Sequence, residues 1–162
     1  MNTAHLHLMI NHLPVIGSIL GGFVLAYGLL TKSLLTKIAA YYVLIISAAG
    51  AVIAYLTGEE AEETVEKLQG VSKDLIDRHE DSSVIALIAL IILGIFSLIG
   101  LFVTIKKLQV TRMISTITLV ISLISFGLIA WTANTGGKIR HTEINSDGTN
   151  TIQDSGEKDD DD

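Results

Sequence analysis

The chain alternates between long apolar stretches and shorter polar ones. Four apolar stretches, at residues 13–31, 37–57, 84–105 and 113–133, contain no charged residue apart from Lys37 at one edge. Each is close to the roughly 20 residues that a helix needs to cross the hydrocarbon core of a membrane. A water-soluble domain of 162 residues has no room to bury four such helices. The pattern therefore predicts an all-α, multi-pass membrane protein built as a four-helix bundle.

A polar segment separates the second and third spans. Its apolar positions recur at helical spacing on one side, which predicts an amphipathic extramembrane helix, or a pair of helices, over residues 59–80. Gly70 is expected to break it. Ser72 is expected to cap a new helix that runs through His79 into the third span.

The domain organisation follows from these patterns. Residues 1–144 are expected to form one transmembrane domain. The remaining residues, 145–162, are rich in Asp, Gly, Ser and Thr and have no apolar period. Such a composition cannot bury enough apolar surface to fold, so this acidic tail is expected to be disordered.

Loop charges predict the orientation. The short loops 31–37 and 106–112 contain basic residues and no acid, whereas nine carboxylates lie in 58–83 and eight follow Asn134. Short basic loops face the cytoplasm. The N-terminus, the middle segment and the C-terminus are therefore expected outside, which for a bacterial inner membrane is the periplasm. The chain has no cysteine, which excludes disulfides and iron–sulfur ligation.

The chain resembles one helical hairpin written twice. Each half opens with a histidine ahead of a Val-Ile-small step, His12 in the first and His79 in the second. Each half closes on a similar pattern, at 53–58 and at 129–137. A parallel repeat of this kind would make His12 and His79 equivalent positions.

Small and hydroxyl residues indicate how the spans pack. Gly17-x-x-x-Gly21 has the spacing that lets two helix backbones approach closely. A hydroxyl stripe runs along the fourth span at Ser115, Thr118, Ser122 and Ser125. It is read either as a polar path for protons or a quinone, or, in the favoured interpretation, as packing with hydroxyls bonded to their own i−4 carbonyls. The middle of every span lacks an ionisable group, which argues against a pump or voltage sensor.

The histidines carry the candidate chemistry. Imidazole is a common ligand for zinc, copper and iron, including haem iron. His12 and His79 are the first candidates to bind a cofactor, with Glu80 orienting a ring and His141 auxiliary. The alternatives in which neither histidine is a ligand are an interfacial imidazole among lipid headgroups for His12 and a solvated, charged junction between helices for His79. Counting 100° per residue turns His12 away from the Gly21 face, which argues against the ligand role.

Two further histidines extend the metal hypothesis. His5 and His7 lie close to the N-terminus, where disorder is common. Together with His12 and His79 they are candidate ligands for a transition metal. No compact metal motif such as H-x3-H occurs, so a metal site would have to be assembled from distant segments.

Four short motifs carry a family resemblance. They are Asn11-His12-Leu13-Pro14-Val15-x-Gly17, Thr57-Gly58-Glu59-Glu60-Ala61, Arg78-His79-Glu80 and Gly136-Gly137-Lys138-Ile139-Arg140-His141. Over about residues 8–144 the chain resembles a group of small bacterial four-helix integral membrane proteins of unknown function. Related domains are joined to c-type cytochrome or Rieske modules, so the resemblance implies membrane electron transfer with b-type haem. Any such redox partner would be another polypeptide.

The sequence thus predicts an outward-facing histidine site that binds haem b or a transition metal for electron transfer. One alternative is a structural or assembly subunit of a membrane complex, with no cofactor. Another is a protein that handles a divalent metal, collected by His5, His7 and the acidic cluster 59–63. The chain alone is not expected to be an enzyme. The chain is expected to lie in the lipid bilayer and to contact a redox partner or a membrane complex, but not nucleic acid. A homo-oligomer is an alternative that the sequence leaves open.

Overall fold

The computed structural model describes residues 3–66 and 73–140, and these are helical apart from short turns. The helices are α1 (Thr3–Ile10), α2 (His12–Leu30), α3 (Leu34–Glu66), α4 (Lys73–Ile105) and α5 (Thr111–Arg140). Four segments are long and apolar enough to cross a membrane, one formed by α1 with α2 and one in each of α3, α4 and α5. The all-α class is confirmed for the described residues, and the four predicted spans correspond to these four segments.

The long helices form a closed bundle. Helix α2 packs against α3, α3 against α4 and α4 against α5, and α2 also contacts α5. Short turns join α2 to α3 and α4 to α5, as in up-and-down bundles. The buried core is made of Leu25, Tyr41, Leu44, Leu90 and Leu93, together with small residues. Large apolar side chains are exposed around the outside of the bundle, which suits a surface that faces lipid.

Close backbone approach between α2 and α3 explains the glycine motif. A Cβ atom added to Gly17 would lie 2.7 Å from the Cβ of Ser47, and one added to Gly21 would lie 2.5 Å from a methyl of Leu44. Neither position has room for a side chain. The prediction that Gly17-x-x-x-Gly21 is a helix-packing face is confirmed.

The hydroxyl stripe of α5 is fully buried at Ser115, Thr118, Ser122 and Ser125. The first two donate hydrogen bonds to carbonyls of α5 itself, as expected. Ser122 instead donates to the Ser18 carbonyl of α2 at 2.8 Å, and Ser125 to the Ala89 carbonyl of α4 at 3.1 Å. Ser115 also pairs with the Tyr41 hydroxyl of α3 at 2.8 Å. The packing interpretation accounts for these bonds, but the stripe also joins α5 to its neighbouring helices instead of bonding only within α5.

The N-terminal segment differs from expectation. Disorder was expected at His5 and His7, yet they lie in α1, which packs against α3. Only Asn11 separates α1 from α2. The Asn11 N–H still donates to the His7 carbonyl at 2.9 Å. Pro14 has no N–H to donate to the Ile10 carbonyl, which accounts for the interruption at this point.

Asn11 does not cap α2 with its side chain. It has a right-handed helical backbone (φ −59°, ψ −21°) and makes no side-chain capping hydrogen bond. An N-cap residue usually has an extended backbone, which aims its side chain at the first free N–H groups. Asn11 therefore does not act as the N-cap of α2, because the last turn of α1 still passes through this residue.

The polar connection is described only at its two ends. Helix α3 continues beyond the second apolar span to Glu66, and α4 begins at Lys73, ahead of the third span. Residues 67–72, with the expected break at Gly70 and cap at Ser72, lie outside the described residues. So do residues 141–162, with His141 and the acidic tail. The separate amphipathic extramembrane helix and the acidic tail's disorder stay predictions.

Candidate functional site

His79 joins α4 to α5 at one end of the bundle. Its Nδ1 lies 3.1 Å from the Thr132 carbonyl oxygen and 3.2 Å from the Thr135 hydroxyl oxygen. The Thr135 hydroxyl donates its own hydrogen to the Thr132 carbonyl at 2.8 Å. Both neighbours of Nδ1 are therefore acceptors, and Nδ1 must carry the hydrogen. The neutral ring is left with its lone pair on Nε2.

His7 makes the same kind of contact between α1 and α3. Its Nδ1 donates to the Ala54 carbonyl at 2.8 Å, and the Thr57 hydroxyl oxygen lies 3.5 Å away. Since a carbonyl can only accept, Nδ1 again carries the hydrogen and Nε2 again keeps the lone pair. The α1 helix is thus tied to α3 by an imidazole, as α4 is tied to α5.

The two contacts share a local pattern on the accepting helix. The accepting carbonyl belongs to residue i, a threonine stands at i+3, and a glycine stands at i+4: Gly58 follows Ala54, and Gly136 follows Thr132. In an α-helix each Cβ leans towards the N-terminus, so the side chain at i+4 lies beside the carbonyl of residue i. Glycine at i+4 leaves that carbonyl open to a side chain from another helix.

The rings occupy the space that those glycines leave. A Cβ atom added to Gly136 would lie 2.9 Å from Cε1 of His79, and one added to Gly58 would lie 3.5 Å from Cε1 of His7. The repeated chain endings at 53–58 and 129–137 therefore have a structural role, which is to receive an imidazole. In this respect His7 is the counterpart of His79.

Both histidine contacts lie at the end of the bundle opposite the α2–α3 and α4–α5 turns, which we call the histidine end. His79 precedes the apolar span that begins at residue 84, and its side chain is half-buried. Burial lowers the pKa of His79 below its usual value, the Thr132 carbonyl opposes that shift, and a charge on His7 lowers the pKa further.

The structure places His12 and His5 differently. The His12 side chain is exposed, and its Nδ1 contacts the side-chain oxygen of Asn11. No hydrogen bond joins His12 to His79 in the part of the chain that the structure describes. His5 is also exposed, on α1. The exposure of His12 agrees with the helical-wheel argument that turned it away from the Gly21 face.

The orientation of the His79 ring comes from residues that the sequence did not single out. Glu80 is exposed, and no hydrogen bond between its side chain and His79 is found among the described residues. Thr132 and Thr135 of α5 hold the ring instead. The repeated Thr-Gly step was visible in the sequence and was the available signal. His141 lies outside the described residues.

The donor set bears on which cofactor fits. Among the side chains that the structure describes, which do not include the acidic ones of 59–66, no group of three or more His, Cys, Asp or Glu could hold a metal ion. Zinc sites use three or four protein ligands, and such a set is not assembled among these side chains. Haem iron takes its in-plane ligands from the porphyrin and needs at most two from the protein. His7 and His79 offer that number of imidazole ligands, and neither Nε2 has a hydrogen-bond partner among the described residues.

No protein-family model, curated protein or solved structure matches this chain. The resemblance to small bacterial four-helix membrane proteins stays a prediction, and the interpretation of the site depends on its geometry.

Proposed function

We propose that this chain is a multi-pass membrane protein that functions in electron transfer. It holds haem b at its histidine end, through Nε2 of His7 and Nε2 of His79. The observation that carries the proposal is the shared state of the two rings. Each donates its Nδ1 hydrogen to a main-chain carbonyl, and neither Nε2 has a hydrogen-bond partner among the described residues. Histidines that bind metals almost always have their other ring nitrogen held in this way.

This pairing changes the ligand assignment expected from sequence. His79 keeps its role, His7 takes the place of His12, and Thr132 and Thr135 take the orienting role assigned to Glu80. Haem, when bound, supplies one-electron redox chemistry. His7 and His79 would be the two protein ligands of the haem, and haem held by two imidazoles would supply electron transfer rather than oxygen chemistry. Electron transfer to a separate redox protein is then the function that the site serves.

The location suits exchange with a partner outside the hydrocarbon core. Tyr55 and Trp131 lie near the histidine end and are 40% and 58% exposed, as expected of aromatic residues at a membrane interface. The opposite end carries the two basic, acid-free loops. In a bacterial inner membrane this arrangement turns the histidine end towards the periplasm.

A structural role is the second candidate, and the same contacts favour it. Each imidazole bonds one helix to another, α1 to α3 and α4 to α5, and such bonds stabilise helix association in membranes. In that account the protein is an assembly subunit of a membrane complex without a cofactor. Handling of a divalent metal through His5, His7 and the acidic cluster 59–63 stays a prediction, because the carboxylate side chains of that cluster lie outside the described residues.

The two accounts separate in an absorption experiment on the purified full chain, expressed with haem supplied. We expect a haem b spectrum that responds to reduction in the wild type and in the control His12→Ala. Both His7→Ala and His79→Ala should lose it. If the wild type folds without haem or metal, only the structural account remains. Stoichiometric metal without a chromophore would favour metal handling. A spectrum lost only in His12→Ala would overturn the ligand assignment.

A further inference from the structure

The end of the bundle opposite the histidines, which we call the basic end, contains an open cavity of about 520 Å³. Its walls come from the turn between α2 and α3, the turn between α4 and α5, and the adjoining helix ends. Four cationic side chains line it: Lys32, Lys37, Lys107 and Arg112. Each hairpin contributes two of the four, so the cavity exists only where the two hairpins meet.

The charge of this cavity is not balanced by the protein. Neither loop, 31–37 or 106–112, contains an aspartate or glutamate. The ion pair found among the described residues, Arg78 with Asp74, belongs to α4 near the histidine end. In the described part of the chain, no carboxylate pairs with any of the four cavity cations.

Lys37 shows that the cavity is more than a basic surface. Its side chain is only 6% exposed. It crosses α2 at Gly28, where an added Cβ atom would lie 3.0 Å from Cγ of Lys37. The Lys37 ammonium has no hydrogen-bond or ion-pair partner among the described residues. Its Nζ is not one of the fully buried side-chain atoms that lack a partner, so the buried stem carries the charge to the open cavity, where an anion can reach it.

The two turns present their lysines in the same way. Lys32 has φ 56° and Lys107 has φ 52°, both in the left-handed region that residues other than glycine rarely adopt. The turns therefore hold a lysine on each side of the cavity in a conformation that a glycine would adopt more easily.

We propose that this cavity binds the phosphate of an anionic phospholipid headgroup. Cations supply the recognition of the phosphate, and Leu29, Leu30, Leu34 and Leu108 supply an apolar wall beside it. The cavity opens at the ends of membrane-spanning helices, where headgroups lie. Basic pockets between transmembrane helices are known to take such headgroups. This inference is independent of any cofactor at the histidine end.

The test uses the full chain, delipidated in a neutral detergent, with phosphatidylglycerol and phosphatidylcholine as probes. Lipid retention by native mass spectrometry and the shift in melting temperature are the measurements. We expect one phosphatidylglycerol to be retained and to raise the melting temperature, and phosphatidylcholine to do neither. Equal behaviour of the two lipids would overturn the proposal.

Substitutions localise the site. Lys37→Met, Lys107→Gln and Arg112→Gln should each weaken phosphatidylglycerol binding by roughly fivefold, the factor that corresponds to the loss of one basic residue near the membrane surface. Lys106→Gln is the matched control, because Lys106 belongs to the same turn and does not line the cavity. An equal loss in Lys106→Gln would mean nonspecific attraction and would contradict the site. If Lys37→Met fails to fold, the variants Lys107→Gln and Arg112→Gln still test the site.

A final arm separates the two sources of phosphate. Inorganic phosphate, added without lipid, should raise the melting temperature far less than phosphatidylglycerol. If inorganic phosphate gives the full shift, and it is lost in Lys37→Met, the ligand is a free phosphate and the lipid proposal is wrong.

Discussion

Each hairpin holds a histidine ring by a hydrogen bond to a main-chain carbonyl, but the second hairpin encloses its ring more closely than the first. In the second hairpin, His79 has acceptors at 3.1 and 3.2 Å and would meet a Cβ at Gly136 at 2.9 Å. In the first, His7 has one acceptor at 2.8 Å, a hydroxyl oxygen at 3.5 Å and ordinary contact distance at Gly58. The second ring is enclosed, whereas the first is held by one bond. Matched substitutions in the two hairpins should therefore have unequal effects.

The largest difference is expected at the glycines. Gly136→Ala puts a methyl group against the enclosed His79 ring, so the ring or α5 must shift, and the free energy of unfolding should fall by about 1–3 kcal/mol. Gly58→Ala meets His7 at 3.5 Å and should be neutral, or slightly stabilising, since alanine favours helix by about 1 kcal/mol. Melting temperatures of both variants in detergent make the comparison. Equal destabilisation would show that the two rings are equally enclosed.

A smaller difference is expected at the threonines. Thr135→Val removes one of the two acceptors of the His79 Nδ1–H and should lower the free energy of unfolding by about 1 kcal/mol. Thr57→Val removes a hydroxyl oxygen that lies 3.5 Å from Nδ1 of His7, so the free energy of unfolding should fall by less. The same melting experiment measures both. A larger loss in Thr57→Val would contradict the assigned acceptor roles.

The smallest expected difference is in pH dependence. The pKa of His79 is lowered in the folded protein, mainly by burial, so the unfolded chain binds the proton more readily. Stability due to the neutral ring is therefore present above the ordinary pKa of 6.5 and is lost as pH falls through the lower folded value. The difference in stability between wild type and His79→Gln should shrink as the solution is acidified through this range.

A second variant isolates the contribution of His7 to that shift. His7→Gln removes a positive charge that disfavours protonation of His79, so the pKa of His79 should rise towards its ordinary value. Titration of the His79 ring by NMR measures the change. An unchanged His79 pKa would mean that the two rings do not sense each other, and it would weaken the case for a shared ligand.

The spans and their packing could be predicted from sequence because they depend on local composition. Twenty apolar residues without charge, and Gly17 four residues before Gly21, need no tertiary information to be interpreted. The role of His7 could not be read in this way. It depends on how α1 packs on α3, which the local sequence of residues 3–10 does not indicate.

The orienting residues show the same limit of local patterns. The two Thr-Gly endings were visible in the sequence, but they mark only the accepting helix of each contact and not the histidine that it receives. Which histidine reaches Ala54 or Thr132 is fixed by helix register across the bundle. The five basic residues of the two loops likewise predicted orientation, while the cavity that four of them line depends on how the two hairpins meet.

The most direct test of the central claim is NMR of the protein labelled with ¹⁵N at histidine, with signals assigned through His7→Gln and His79→Gln. At a pH where the rings are neutral, His7 and His79 should both be protonated at Nδ1 and bare at Nε2. One equivalent of haemin should then shift or broaden both Nε2 signals and leave His12 unchanged. A hydrogen on Nε2 of either ring, or a haemin response at His12 without one at His7, would contradict the account.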